Sequence, residues 1–280
     1  MIRKDVVIVI PTFKPGSYLD DCIASIDKQN VDKSLFSVLI VLNGLKEPYF
    51  SMIRELMVKY DTLDINLVYN VAKGVSKARN IGIEFSLMSK YVVFIDDDDF
   101  VSDTFIISLL HTVIEGKADV AQSNFKNVIG GRISDDYISK GYQNQVNKKY
   151  SLLNYRKFFS SVCGKIFNVN AIGDIRFRED IHMAEDAVFM FAISKNVKRF
   201  YLTNDDCIYF RNVREGSALR TPRGLFQICK DYYLNLSAFT GVYLSEPFKY
   251  NFLFYISRIL AITKYLKTEI LFYVRSNYVL

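Results

Sequence analysis

The stretch Tyr91-Val92-Val93-Phe94-Ile95-Asp96-Asp97-Asp98-Asp99 decides the reading of this chain. A β-branched and aromatic run that ends in four consecutive carboxylates reads as a buried strand delivering charge to its carboxyl end. Packing four like charges at such a point is costly unless a cation compensates them. Alternate aspartates in a turn can direct oxygens to one hard divalent ion, whose coordination a diphosphate would complete. A simple helix N-cap accounts for one or two of these residues, at Asp99 or Asp103, but not for four.

Working outward, the same strand signal recurs. Val6–Ile10, closed by Pro11, Ser37–Leu42, stopped by Asn43-Gly44, and Ile65–Tyr69 are strands. Between them, helical spacing of apolar residues predicts helices over Ser17–Asn30 (with Ser17 as N-cap), Glu47–Tyr60, Val75–Met88 and, after the aspartates, Thr104–Glu115. Strands separated by helices of this length imply βαβ units, a parallel sheet and helices on both of its faces. Ligands of such sheets bind beyond the carboxyl ends of the strands. Pro11-Thr12, Asn43-Gly44 and Asp96–Asp99 are all expected there. Residues 120–160, polar and rich in Gly and Asn, read as a loop or short hairpins over the sheet edge. From Leu225 the pattern is helical, interrupted near Ser245-Glu246-Pro247. This divides the chain into a catalytic domain, 1–224, and a helical extension, 225–280.

Composition narrows the chemistry. The 280 residues include two His (His111 and His182) and four Cys (Cys22, Cys163, Cys207 and Cys229), with no C-x-x-C spacing. A three-His metal cage is impossible, and a zinc site built on Cys pairs is not expected. The apolar run after Met1 is too short for a signal peptide, and no stretch reaches the ~18 apolar residues of a membrane span. A cytoplasmic protein with reduced thiols is therefore expected. Lys and Arg total 36 against 30 Asp and Glu. Residues 1–210 balance at 26 of each sign, so the excess lies in residues 211–280, with ten basic and four acidic side chains. Such a patch is either a solvated surface or a surface that meets anions such as nucleotide phosphates or acidic headgroups.

Three further segments carry functional groups. Glu185-Asp186 opens an apolar helix, where the dipole favours carboxylates and where one of them could act as a general base; His182 is four residues before Asp186, on what would be the same helical face. Lys73, Lys77 and Arg79 lie in and just before the first turns of a helix within reach of phosphate oxygens, with Ser76 as a cap. Tyr209-Phe210-Arg211-Asn212-Val213-Arg214-Glu215-Gly216-Ser217 reads as a basic lid loop. On one continuous C-terminal helix, Lys249, Lys264, Lys267 and Arg275 fall within one sector flanked by aromatics. That helix either lies on an anionic membrane surface or caps the catalytic domain.

Taken in order, Val7-Ile8-Val9-Ile10-Pro11-Thr12-Phe13, Gly74-Val75-Ser76-Lys77-Ala78-Arg79-Asn80-Ile81-Gly82, Phe94 to Asp99, Glu185-Asp186 and Tyr209 to Ser217 resemble the inverting glycosyltransferase family 2, over about residues 5–220. The resemblance implies an α/β GT-A fold with a C-terminal helical extension, and a bacterial surface-polysaccharide role at the inner face of the cell membrane. It implies that Pro11 and Thr12 line the nucleotide base, and that Asp96, with Asp97 beside it, holds the ribose or sugar. Asp98 would bind Mn²⁺ or Mg²⁺ bridging the diphosphate, with Arg79 near the nucleotide and Arg211 and Ser217 folding over the pyrophosphate. Asp186 would be the base that deprotonates the acceptor, with Glu185 at its side. The donor implied is a nucleotide sugar, a UDP-sugar by preference, and the acceptor a glycan hydroxyl, lipid-linked, with peripheral membrane contact through the C-terminal helix and no nucleic acid. In one respect the chain departs from the family: Asn43-Gly44 stands where Asp-Asp-Gly-Ser is usual, although an Asn amide can still hydrogen-bond a base edge. The rival reading is a nucleotide-sugar-binding or scaffold protein of this fold that has lost turnover.

Overall fold

The computed structural model describes residues 4–145, 149–213 and 223–278. Strands and helices alternate at first, as the apolar pattern requires: β1 (Val6–Thr12), α1 (Tyr18–Asp27), β2 (Phe36–Asn43), α2 (Tyr49–Lys59), β3 (Ile65–Asn70), α3 (Val75–Phe85) and β4 (Tyr91–Phe94). A two-residue β5 (Phe100–Val101) and α4 (Phe105–Glu115) follow. Every residue of β1 and β2 is buried, so both faces of the sheet are covered there. The chain continues through β6 (Val120–Gln122), β7 (Asn124–Ile129), β8 (Arg132–Asp135), α5 (Tyr137–Gln145), β9 (Lys165–Asn168), α6 (Val169–Ile172), α7 (Glu185–Ile193), β10 (Phe200–Leu202) and β11 (Ile208–Asn212). It ends in two long helices, α8 (Leu225–Ser245) and α9 (Phe252–Tyr278).

The seven-stranded main sheet has the order β10-β6-β9-β4-β1-β2-β3 and is parallel except for β9, which runs antiparallel to both β4 and β6. A second sheet, β5-β11-β7-β8, stands beside it. In the main sheet Val9 pairs with Leu39 on one side and Phe94 on the other, and Asn43 pairs with Asn70. This register brings the carboxyl ends of β1, β2 and β4 to one edge, where Thr12, Asn43 and Asp96 emerge.

Several local expectations are corrected. Residues 120–160 do contain a hairpin, β7–β8 around Gly130-Gly131, but they also supply a main-sheet strand, β6, and the helix α5. Residues 208–212 form a strand paired with β5 and β7, so Arg211 sits on a fixed element and not on a lid. The part of that segment from Arg214 to Ser217 lies outside the described residues. Lys249 precedes α9 and pairs with Glu246, so the basic sector of the helix reduces to Lys264, Lys267 and Arg275. Among the described residues no helix is long and apolar enough to cross a membrane.

The C-terminal helices are bound to the rest of the fold by aromatic rings. Phe191 of α7 contacts Phe239 of α8 (5.5 Å between centroids), Tyr250 in the connection (5.2 Å) and Phe254 of α9 (5.6 Å). Phe254 also meets Phe159 at 5.3 Å. Aromatic pairs contribute about 0.5–1.5 kcal/mol each beyond area burial, so this cluster fixes the α8–α9 hairpin by several kcal/mol.

Candidate active site

At the carboxyl edge of the main sheet lies a cavity of about 1020 Å³, lined by Thr12, Asn43, Asp96–Asp99, Glu185, Asp186 and side chains of α8 and α9. Its volume stands at the upper end of the roughly 300–1,000 Å³ of small-molecule and cofactor sites.

The four aspartates do not act as one cluster. Asp96 accepts from Arg79 Nη2 at 3.0 Å, and Asp97 accepts from the Thr12 hydroxyl. Asp99 is buried; it accepts from the Tyr209 hydroxyl at 2.6 Å and from the Asn212 N–H at 2.8 Å. The same Tyr209 oxygen accepts from the Asp96 N–H at 3.1 Å, so one phenol ties both ends of the run to β11. Burial first, then the charges of Asp96 and Asp98, pushes the Asp99 carboxyl well above its ordinary range. Among the described residues no three His, Cys, Asp or Glu side chains gather to form a closed metal cage. Asp98, partly exposed and lining the cavity beside Asp96, is the carboxylate suited to an ion that takes its remaining oxygens from a ligand. That donor set fits Mg²⁺ or Mn²⁺ and not a preformed protein site.

Arg79 organises the centre. It is 3% exposed and donates from Nη1 to Asp186 at 2.6 Å, while Nη1 lies 3.4 Å from Glu185 and Nη2 bonds Asp96. Its guanidinium also faces the Phe177 ring at 5.5 Å. Burial pulls its pKa down, but Asp186 and Asp96 push it above the ordinary value, so it stays charged. The surrounding motif holds it in place. Asn80 clamps the Phe177 backbone from both sides, donating to its carbonyl (3.0 Å) and accepting from its N–H (2.8 Å). Gly82 lets α3 press on β1: a Cβ there would fall 2.3 Å from Val9 Cγ1. Gly74, at φ +136°, and not Ser76, precedes α3; the Ser76 hydroxyl is buried without a partner among the described residues.

Beside Arg79, Ala184 turns left-handed (φ +58°) and starts α7 at Glu185. The helix therefore excludes His182, which is exposed on the cavity rim and does not share a helical face with Asp186. Asp186 is held by Arg79 at one oxygen and by the Val162 N–H, at 3.1 Å, at the other. Burial raises its pKa, opposed by Arg79. Burial, with the charge of Asp186, raises Glu185 to about 7. Behind Val162, the fully buried Lys165 donates to the Ser161 carbonyl at 2.6 Å, and burial lowers its pKa to about 7.

The remaining sequence candidates divide. Pro11 and Thr12 line the cavity. Asn43 lines it too, but its amide donates to the Thr12 carbonyl at 3.3 Å and its oxygen accepts from Asn70, so its side chain also braces the strand ends. Arg211 reaches the cavity, pairs with Asp136 at 3.4 Å and stacks over Phe125. Lys73 lies over the Phe13 ring, and Lys77 is outside the cavity lining. Lys165 and Arg258 were not legible as site residues: each is a lone cation in an otherwise apolar stretch. Tyr209 stood inside a segment read as a loop, so its bridging of the aspartates was also missed.

Comparison with known proteins bears on the family and the fold. The family model described as "Glycosyl transferase family 2" matches residues 7–175. The chain is 22% identical over 229 residues to the poly(ribitol-phosphate) beta-N-acetylglucosaminyltransferase TarS of Staphylococcus aureus, a match covering 80% of this chain and 39% of TarS. The crystal structure of S. aureus TarS 1–349 in complex with UDP-GlcNAc superposes with a TM-score of 0.70 at 20% identity, covering 84% of this chain and 66% of that one. The mannosyltransferase PcManGT from Pyrobaculum calidifontis, in complex with GDP-Man and Mn²⁺, gives 0.63 at 16% identity, covering 95% and 70%. These structural likenesses show a shared GT-A fold.

Proposed function

The chain belongs to glycosyl transferase family 2, and from that premise we propose that this glycosyltransferase moves a sugar from a UDP-sugar to a hydroxyl of a glycan acceptor, with inversion at the anomeric carbon. The observation that carries the reading is Arg79. It draws a carboxylate after β4 and the pair at the start of α7 around one guanidinium, so that a donor group and a base stand beside each other in one cavity.

In this reading Pro11, Thr12 and Asn43 hold the nucleoside, Asp96 and Asp97 the ribose or sugar, and Arg211 lies towards the diphosphate. Asp98 would hold Mg²⁺ or Mn²⁺. When bound, that ion would offset negative charge on the leaving diphosphate. Asp186 takes the proton of the acceptor hydroxyl as it attacks from the side opposite the leaving group. Arg79 and the Val162 N–H fix its two oxygens, so no reorientation is required at the moment of transfer. Glu185, at about 7, holds its proton below neutrality and so limits the negative charge beside Asp186.

The acceptor we propose is a polysaccharide intermediate carried on a lipid, reached at the inner face of the cell membrane. Exposed Leu253, Leu260 and Leu271 beside Lys264, Lys267 and Arg275 on α9 support peripheral contact with an anionic surface. A panel of UDP-, GDP- and dTDP-sugars with Mn²⁺, scored for slow donor hydrolysis, tests the donor. Hydrolysis confined to GDP- or dTDP-sugars would refute the UDP assignment, and none at all would refute turnover. Retention of the protein on anionic vesicles in high salt would count against electrostatic docking.

A further inference from the structure

Four described arginines line the cavity, and three are matched by acids. Arg79 faces Asp186, Glu185 and Asp96; Arg211 faces Asp136; Arg223 faces Asp231 and Glu269. Arg258, on α9, is different. It is 6% exposed and no described carboxylate pairs with it; its Nε, like that of Arg79, is buried without a hydrogen-bond partner among the described residues. Its ring contact is Phe254, at 4.9 Å, and the Arg156 charge repels it. Burial lowers its pKa to about 10, so it remains a cation at neutral pH.

A buried, uncompensated guanidinium is costly and persists where a ligand supplies the missing charge. Arg258 stands on the part of the cavity wall that the C-terminal helices supply. The same wall carries Asn235, whose buried Oδ1 also lacks a partner. Guanidinium planes match phosphate oxygens in bidentate fashion, and a neighbouring amide oxygen can accept from a hydroxyl.

We propose that Arg258, with Arg156 nearby, forms a subsite for a phosphate group of the acceptor, and that Asn235 Oδ1 on the same wall accepts from a hydroxyl of that acceptor. The phosphate belongs either to a phosphodiester in a polymeric acceptor or to the diphosphate of a lipid-linked one. The proposal rests on the acceptor reading above only for the molecule that brings the phosphate.

The test titrates the full chain, saturated with UDP and Mg²⁺ so that the donor half is filled, with glycerophosphoglycerol and with geranyl diphosphate, using glycerol as the neutral control. Wild type binds at least one of the phosphate probes, and Arg258→Gln weakens that binding at least tenfold, while Arg258→Lys recovers part of it. UDP affinity is the same in all three proteins. The melting temperature of Arg258→Gln without probe is unchanged or higher, because an unpaired buried charge has been removed. The tighter probe identifies the source of the phosphate, diester or prenyl diphosphate. Equal probe affinity in wild type and Arg258→Gln, or UDP binding with neither probe bound, overturns the subsite; so does a lower melting temperature with probe affinity retained. Failure to bind UDP would instead sink the donor reading, and the probe titrations would still decide on Arg258.

Discussion

Replacing Glu185 with Gln isolates the electrostatic cost built into the site. In an unfolded chain this carboxyl titrates near its ordinary 4.5, whereas burial and Asp186 hold it at about 7 in the folded protein. The folded state therefore keeps a proton that the unfolded state releases. Below about pH 4.5 both states are protonated and Glu185 costs nothing. Between 4.5 and 7 the penalty grows, and above 7 it is complete, so this group makes the protein less stable as pH rises. At ~1.4 kcal/mol per pH unit the full penalty is about 3 kcal/mol. With an unfolding entropy of ~2.1 cal/mol/K per residue, that corresponds to about 5 °C in melting temperature for a chain of this size. The Gln variant should melt about 5 °C above wild type at pH 8, and the gap should close as pH falls to 4.5, as followed by near-UV circular dichroism in parallel buffers. A gap that stays constant with pH, or widens towards acid, would refute the reasoning, because burial of an ionised Glu185 would then not be its source.

Other variants probe neighbouring links. Asp186→Asn should lower transfer by roughly 10²–10⁴-fold with UDP affinity unchanged in calorimetry, and undiminished transfer would remove Asp186 as the base. Arg79→Met leaves three carboxylates without their shared cation; urea unfolding should show a loss of about 3–5 kcal/mol, and a loss under 1 kcal/mol would mean that Arg79 does not hold them together. Gly82→Ala brings a methyl against Val9 and should cost about 1–3 kcal/mol, whereas a neutral result would show that α3 can lift from the sheet at no cost.

The alternation from β1 to α4 was legible because each of β1 to β4 is a run of β-branched and aromatic residues long enough to mark itself. β6, β9 and β10 have three or four residues apiece and owe their extended conformation to partners far along the chain. Lys165 hides β9 further, since a fully buried lysine at the start of a strand contradicts the usual pattern. In the site, the sequence places carboxylates at strand and helix ends but cannot distribute them. That Asp97 serves Thr12, Asp99 serves Tyr209 and Asp96 shares Arg79 with Asp186, 107 residues from Arg79, depends on non-local geometry. The expected facing of His182 and Asp186 failed for a local reason, the left-handed Ala184 that delays α7 until Glu185.

The ring cluster around Phe191 bears on how the molecule is made. During synthesis the N-terminal portion of a polypeptide is free to fold while the remainder is still being translated. Strands β1–β4 and their helices can thus assemble early, yet Phe159 and Phe191 wait for Phe239, Tyr250 and Phe254 to shield them. Nascent chains halted before α9 would display a greasy aromatic face and an unfinished pocket wall, and the emergence of α9 conceals the one and completes the other.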